Sequence, residues 1–140
     1  MDFNQKRILI TGGSSGMGLA MAQAFASEGA DVTITGRSAS KLEAPPATAP
    51  NMTGFVCDVT DEARIIALRD HMQEAGGVDI LINNAGVLHM FDVQSNYPLE
   101  KQLHEVDIDI NGVVRFVHYF LPMLLQRESV LVNVSSGLAY

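Results

Sequence analysis

Arg7-Ile8-Leu9-Ile10-Thr11-Gly12-Gly13-Ser14-Ser15-Gly16-Met17-Gly18 is a short apolar run that breaks into a glycine turn and then into a helical pattern. Leu19, Ala22, Phe25 and Ala26 share one face of that helix, and Gly29 follows as its expected C-cap. A strand, turn and helix in this order bring backbone amides and the positive end of the helix dipole to one place, an arrangement that suits a dinucleotide pyrophosphate. Gly12 permits the tight turn, Gly16 lets the backbone approach a phosphate, and Gly18 lets the helix pack on the strand. Ser14, Ser15 and Met17 complete the expected cradle. No Lys-Ser or Lys-Thr follows the glycines, which excludes a P-loop.

Working outward, apolar runs recur at Val32 to Ile34, Gly54 to Cys57, Ile80 to Ile82 and Val130 to Val134. Helical segments separate them, one with Ile65, Leu68, Met72 and Ala75 on a common face and a start marked by Thr60, Asp61 and Glu62. This alternation predicts an α/β fold, a Rossmann-type doubly wound parallel sheet, with residues 1–140 as a single dinucleotide-binding domain. The proline-rich stretch Ala44 to Asn51 ends a short helix from about Ser40 and reads as a surface loop. The longest helical pattern runs from Pro98 to Gln126. Leu103, Val106, Ile110, Val113, Val117, Leu121 and Leu124 form its expected core-facing stripe, and Ile108, Phe116, Tyr119 and Met123 widen the apolar surface. Pro122 is expected to kink or loosen that helix near its end.

The 140 residues carry 16 Asp+Glu against nine Lys+Arg, a formal net charge of -7, so nucleic acid is not an expected partner. Cys57 is the only cysteine and cannot form an internal disulfide, and the four histidines are too scattered for a zinc pattern. The first apolar run is short and interrupted by glycines, so neither a signal segment nor a membrane span is expected, and a cytoplasmic protein is the simplest reading.

At the end of the second strand stands Thr35-Gly36-Arg37-Ser38, where an acid would accept a hydrogen bond from the ribose 2′-hydroxyl of NAD. No acid is present. Gly36 leaves room and Arg37 supplies a forked cation for a 2′-phosphate, which points to NADP over NAD. Asp58 after the third strand is expected to accept from the adenine amino group, to cap the next helix, or both, with Val59 beside it in the cofactor site.

The glycine turn, Asn83-Asn84-Ala85-Gly86 after the fourth strand and Asn133-Val134-Ser135-Ser136 after the fifth together resemble the short-chain dehydrogenase/reductase family along nearly the whole chain. The resemblance implies that Asn84, Ala85 and Gly86 stabilise the central strand and lie close to the cofactor ribose. It further implies hydride transfer between NADP(H) and a carbonyl or secondary alcohol, with Ser136 holding the substrate oxygen. Two departures stand out. Asp109, three residues before Gly112, stands in the place of the family's supporting Asn, unless a shift of the alignment restores Asn111 there. The family's Tyr-x-x-x-Lys pair belongs well beyond Ser136; Tyr140 stands too close to it and no lysine follows. The chain alone is therefore expected to be inactive and to supply the cofactor-binding half of the enzyme. A non-catalytic dinucleotide-binding module or a truncated remnant is the alternative. A fold truncated after the fifth strand leaves Val130 to Val134 as an exposed edge, so a homo-oligomer is expected through that strand or through the helix at 98–126. His89, Met90 and Phe91 are weak candidates for lining a substrate pocket.

Overall fold

A computed structural model of the chain describes residues 2–44, 49–88 and 97–136. Five parallel strands form one sheet: β1 (Arg7–Ile10), β2 (Asp31–Gly36), β3 (Met52–Val56), β4 (Ile80–Asn83) and β5 (Val130–Asn133), in the order β3-β2-β1-β4-β5. Central β1 pairs Ile8 with Val32 on one side and with Ile80 on the other. Between β1 and β4 the order of connection reverses, and the carboxyl ends of the strands open a crevice at such a point.

Helices α1 (Gly16–Ser27), α2 (Ala39–Glu43), α3 (Glu62–Glu74), α4 (Leu99–Val106) and α5 (Gly112–Leu124) make the connections. Residues on a strand alternate between faces, and the core divides accordingly. Ile8, Ile10, Val32, Ile34, Ile80 and Ile82 pack in one cluster with Ala22 of α1 and Leu42 of α2. Leu9 and Leu81 face the other way, into a cluster with Ile65, Leu68 and Met72 of α3 and Phe116 and Phe120 of α5. Gly29, at φ +83°, follows α1 as the sequence predicts.

Several local expectations shift. Asp61 caps α3 in place of Thr60, its side chain accepting from the Arg64 N–H, while the Thr60 hydroxyl donates to Asp58. Ala75 lies beyond the last turn of α3 and is exposed. Cys57 is buried one residue past β3.

The segment at 98–126 is two helices joined by one π-helical turn, Asp107–Asn111. Its expected core stripe is corrected: Leu103, Val106, Ile110 and Leu121 are exposed, Val113 and Val117 are half-buried, and only Leu124 is buried. The buried row is Ile108, Gly112, Phe116, Phe120 and Met123, against which α3 packs. Both rows have helical spacing. The phenylalanine row wins the core because two aromatic rings, 5.6 Å apart and stacked, bury more apolar area than valines do. The helix continues two residues past Pro122, where the missing N–H costs one bond in the final turn. Leu131 and Val132 on edge strand β5 are exposed, as the sequence predicts.

Candidate functional site

A cleft of about 650 Å³ opens at the carboxyl ends of β1, β2, β3 and β4. It gathers Gly12, Ser14, Ser15, Met17 and Gly18 from the glycine turn, Arg37 after β2, Asp58 and Val59 after β3, and Asn84, Ala85 and Gly86 after β4. Every cofactor-binding residue read from the sequence lines it except Gly16, which stands at the head of α1 with φ +54°.

Hydrogen bonds hold the two loops together. Buried Thr11 accepts through Oγ1 from the backbone N–H groups of Asn84 and Ala85, each at 2.9 Å. Asn84 Nδ2 returns bonds to the carbonyls of Thr11 at 3.0 Å and Gly12 at 3.3 Å. This clasp gives the Asn-Ala-Gly motif a structural task in the fold. Two glycines of the turn leave no room for a side chain: a Cβ at Gly12 would lie 2.8 Å from Ala85 Cα, and one at Gly18 would lie 2.3 Å from the Gly12 carbonyl oxygen.

The cleft fits a phosphate-bearing ligand on three counts. Ser15 makes no side-chain cap bond to α1 and no acid sits in its first turn, so the positive end of the helix is left unneutralised. Thr35 Oγ1 is fully buried on the cleft wall without a hydrogen-bond partner. At the β2 end, Gly36 carries no side chain where an acid would read a ribose, and a Cβ there would meet the Ser14 hydroxyl at 2.8 Å, so Ser14 would have to turn aside to admit one.

Asp58 lines the cleft, but its Oδ1 accepts from Thr60 N–H at 2.9 Å and Thr60 Oγ1–H at 2.8 Å, which makes it the organiser of a turn and leaves the helix cap to Asp61. Cys57 also lines the cleft. Burial, reinforced by Asp61 and Asp58, pushes its thiol up to about 12, so it stays protonated and is no nucleophile.

Asp109 sits in the π-helical turn and accepts through Oδ1 from the Val87 N–H at 2.9 Å. Its neighbour Ile108 lines the cleft. Asn111 turns instead to Asp107, at 3.1 Å. Ser136 stands three residues beyond β5, exposed and outside the cleft lining. A Tyr-x-x-x-Lys spacing does occur in the described chain, at Tyr97 and Lys101, but at the head of α4, and neither residue lines the cleft. The His89 to Phe91 segment lies outside the described residues.

Sequence reading missed Thr35, Ser38, Lys41, Cys57, Val87 and Ile108 as lining residues. Only Lys41 had a legible signal, a cation four residues after Arg37 on a short helix. No described helix is long and apolar enough to cross a membrane.

The family model described as short chain dehydrogenase matches residues 6–140. Serine 3-dehydrogenase from Rhizobium radiobacter is 38% identical over 138 residues, covering 95% of this chain and 54% of that protein. Meso-2,3-butanediol dehydrogenase from Serratia marcescens is 31% identical over 97% of this chain and 55% of its own length. Among solved structures, a short chain dehydrogenase from Bacillus anthracis superposes with a TM-score of 0.89 at 29% identity, over 100% of this chain and 59% of that one. The ligand-free aldohexose dehydrogenase of Thermoplasma acidophilum gives 0.83 at 27% identity, over 96% and 51%. The chain spans about half the length of the curated relatives it matches. With the glycine turn, the Asn84 clasp and the reversed strand order all in place, the chain belongs to the short-chain dehydrogenase family.

Proposed function

We propose that these residues form the cofactor-binding half of an NADP-dependent oxidoreductase, which moves a hydride between NADP(H) and a carbonyl or secondary alcohol. The observation that carries the reading is the β2 end of the cleft, where Gly36 presents no acid beside Ser14 and Arg37 lines the wall. When bound, the nicotinamide ring supplies or accepts the hydride. The first-turn amides of α1, with Ser14 and Ser15, hold the pyrophosphate. Asn84, Ala85 and Gly86 run along the ribose, Arg37 takes the 2′-phosphate, and Asp58 and Val59 face the adenine. Ser136 polarises the substrate oxygen, and Asp109 holds the Gly86–Val87 backbone in place through its bond to Val87.

No tyrosine is among the described lining residues, and a serine polarises an oxygen without protonating an alkoxide at useful rates. These 140 residues by themselves are therefore expected to bind the dinucleotide without turnover. NADPH oxidation with simple carbonyl compounds, abolished by Ser136→Ala, would contradict that expectation. Asp109, an acceptor only where the family places an Asn, favours a second reading as a non-catalytic dinucleotide-binding module, which shares the same cleft. The exposed apolar row on α4 and α5 supports a homo-oligomer. Calorimetric titration with NADPH and NADH separately tests the common core: NADPH is expected to bind more tightly, and equal affinity or tighter NADH removes the role given to Arg37.

A further inference from the structure

We propose that Lys41 is a second specificity-determining residue, acting with Arg37 to recognise a phosphate monoester on the adenosine ribose; this rests on the NADP reading above. Both cations line the same end of the cleft, Arg37 from the turn after β2 and Lys41 from α2, with the hydroxyl-bearing Ser14 and Ser38 beside them.

Their charges are uncommitted. Among the described residues neither Arg37 nor Lys41 has a carboxylate within 4 Å, a state they share with Arg64 outside the cleft, so no acid neutralises either cation at the cleft wall. The helix that carries Lys41 is anchored: Leu42, the next residue, is buried against the sheet, so close to Gly54 that a Cβ there would lie 2.8 Å from its own. The lysine stem thus starts from a packed turn and reaches out over the cleft wall.

A phosphate monoester carries between one and two negative charges near neutral pH, with a second pKa of about 6. One forked guanidinium and one ammonium match that charge in two different geometries, whereas a ribose hydroxyl gains nothing from a second cation. Recognition is therefore shared. Loss of Arg37 alone weakens NADPH binding without erasing the preference over NADH, and loss of both cations erases it.

The test is calorimetric titration of wild type, Lys41→Met, Arg37→Met and the double variant with NADPH, NADH and adenosine 2′,5′-bisphosphate. Thermal unfolding of each variant is followed to confirm an intact fold. Lys41→Met is expected to weaken NADPH and the bisphosphate about three- to tenfold, to leave NADH unchanged, and to flatten the KCl dependence of NADPH binding. Unchanged NADPH affinity in Lys41→Met, with a loss in Arg37→Met, overturns the role of Lys41 and leaves the NADP reading standing. Equal weakening of NADPH and NADH also overturns it. Wild-type protein that binds NADH as tightly as NADPH, or neither, overturns the NADP reading itself. Lys41→Gln repeats the test if the Met variant unfolds.

Discussion

Gly18→Ala tests how closely α1 must pack on the glycine turn. Gly18 is buried in the first turn of α1, where Ala gains up to about 1 kcal/mol of helix propensity. Steric geometry opposes that gain. The new Cβ would stand 2.3 Å from the Gly12 carbonyl oxygen, 3.0 Å from the Gly12 carbonyl carbon and 2.5 Å from Asn84 Nδ2. Relief requires a shift of about 1 Å to restore an ordinary carbon-to-oxygen contact. The colliding atoms are a backbone carbonyl and the amide that bonds to it, so neither can swing away as a long side chain would. Overpacking costs about 1–3 kcal/mol, and the strained Asn84 bond to Gly12 about 1 more, which leaves a net loss near 2 kcal/mol after the propensity gain. For a domain of this size that corresponds to about 8 °C in Tm. Circular dichroism melts of the two proteins, each scanned reversibly at matched concentration, read the difference. Gly16→Ala is the control: its φ of +54° strains any side chain, but nothing lies within 4 Å of the new Cβ. A Gly18→Ala protein that melts at or above the parent temperature refutes the packing argument.

Asp79 supplies a pH dependence. Burial pushes its carboxyl up, but the hydrogen bonds from the side chain and backbone of Arg7, then the Arg7 charge and Arg127, outweigh burial and hold it below the ordinary 3.8. Because the folded state binds this proton less tightly than the unfolded chain, the stability it contributes is complete above that ordinary value and lost as pH falls below it. The urea midpoint of wild type should therefore drop more steeply between pH 5 and pH 2 than that of Asp79→Asn, and equal slopes would rule out the coupling. Asp109→Ala is expected to weaken dinucleotide binding about tenfold, while Asp109→Asn keeps the acceptor for Val87 and stays within about twofold. Equal damage by both variants refutes a role through that bond. Leu103→Arg with Ile110→Arg, on the exposed row, should shift the protein to a slower-sedimenting species; an unchanged sedimentation coefficient excludes that face as the oligomer interface.

The elements most legible in the sequence are those whose constraints are local. A strand leading into Thr11 to Gly18 can turn and enter a helix only with small residues at its crossing points, so the glycine positions alone mark the turn. The missing acid after β2 is equally plain, since it depends on one residue at the end of one strand. Alternating apolar runs and helical periods determined the α/β class and the number of strands, although β3 begins at Met52, earlier than the apolar run at Gly54.

Tertiary structure decided the matters that depend on partners distant in the chain. Two apolar rows run along the segment at 98–126, and periodicity identifies rows without saying which one meets α3. The packing of Phe116 and Phe120 settled it. Asp109 reaches Val87 across 22 residues because the π-helical turn carries it to the end of β4. Asp58, open in the sequence to an adenine, a helix cap or both, leaves the cap to Asp61 while its Oδ1 accepts from Thr60. Arg37 and Lys41 share a cleft wall only because α2 folds back against β2 and β3. Backbone geometry and hydrophobic period act over one or two turns of chain, and these the sequence states directly. Contacts between elements depend on which surfaces bury the most area together, a choice made only when the whole sheet and its helices are assembled.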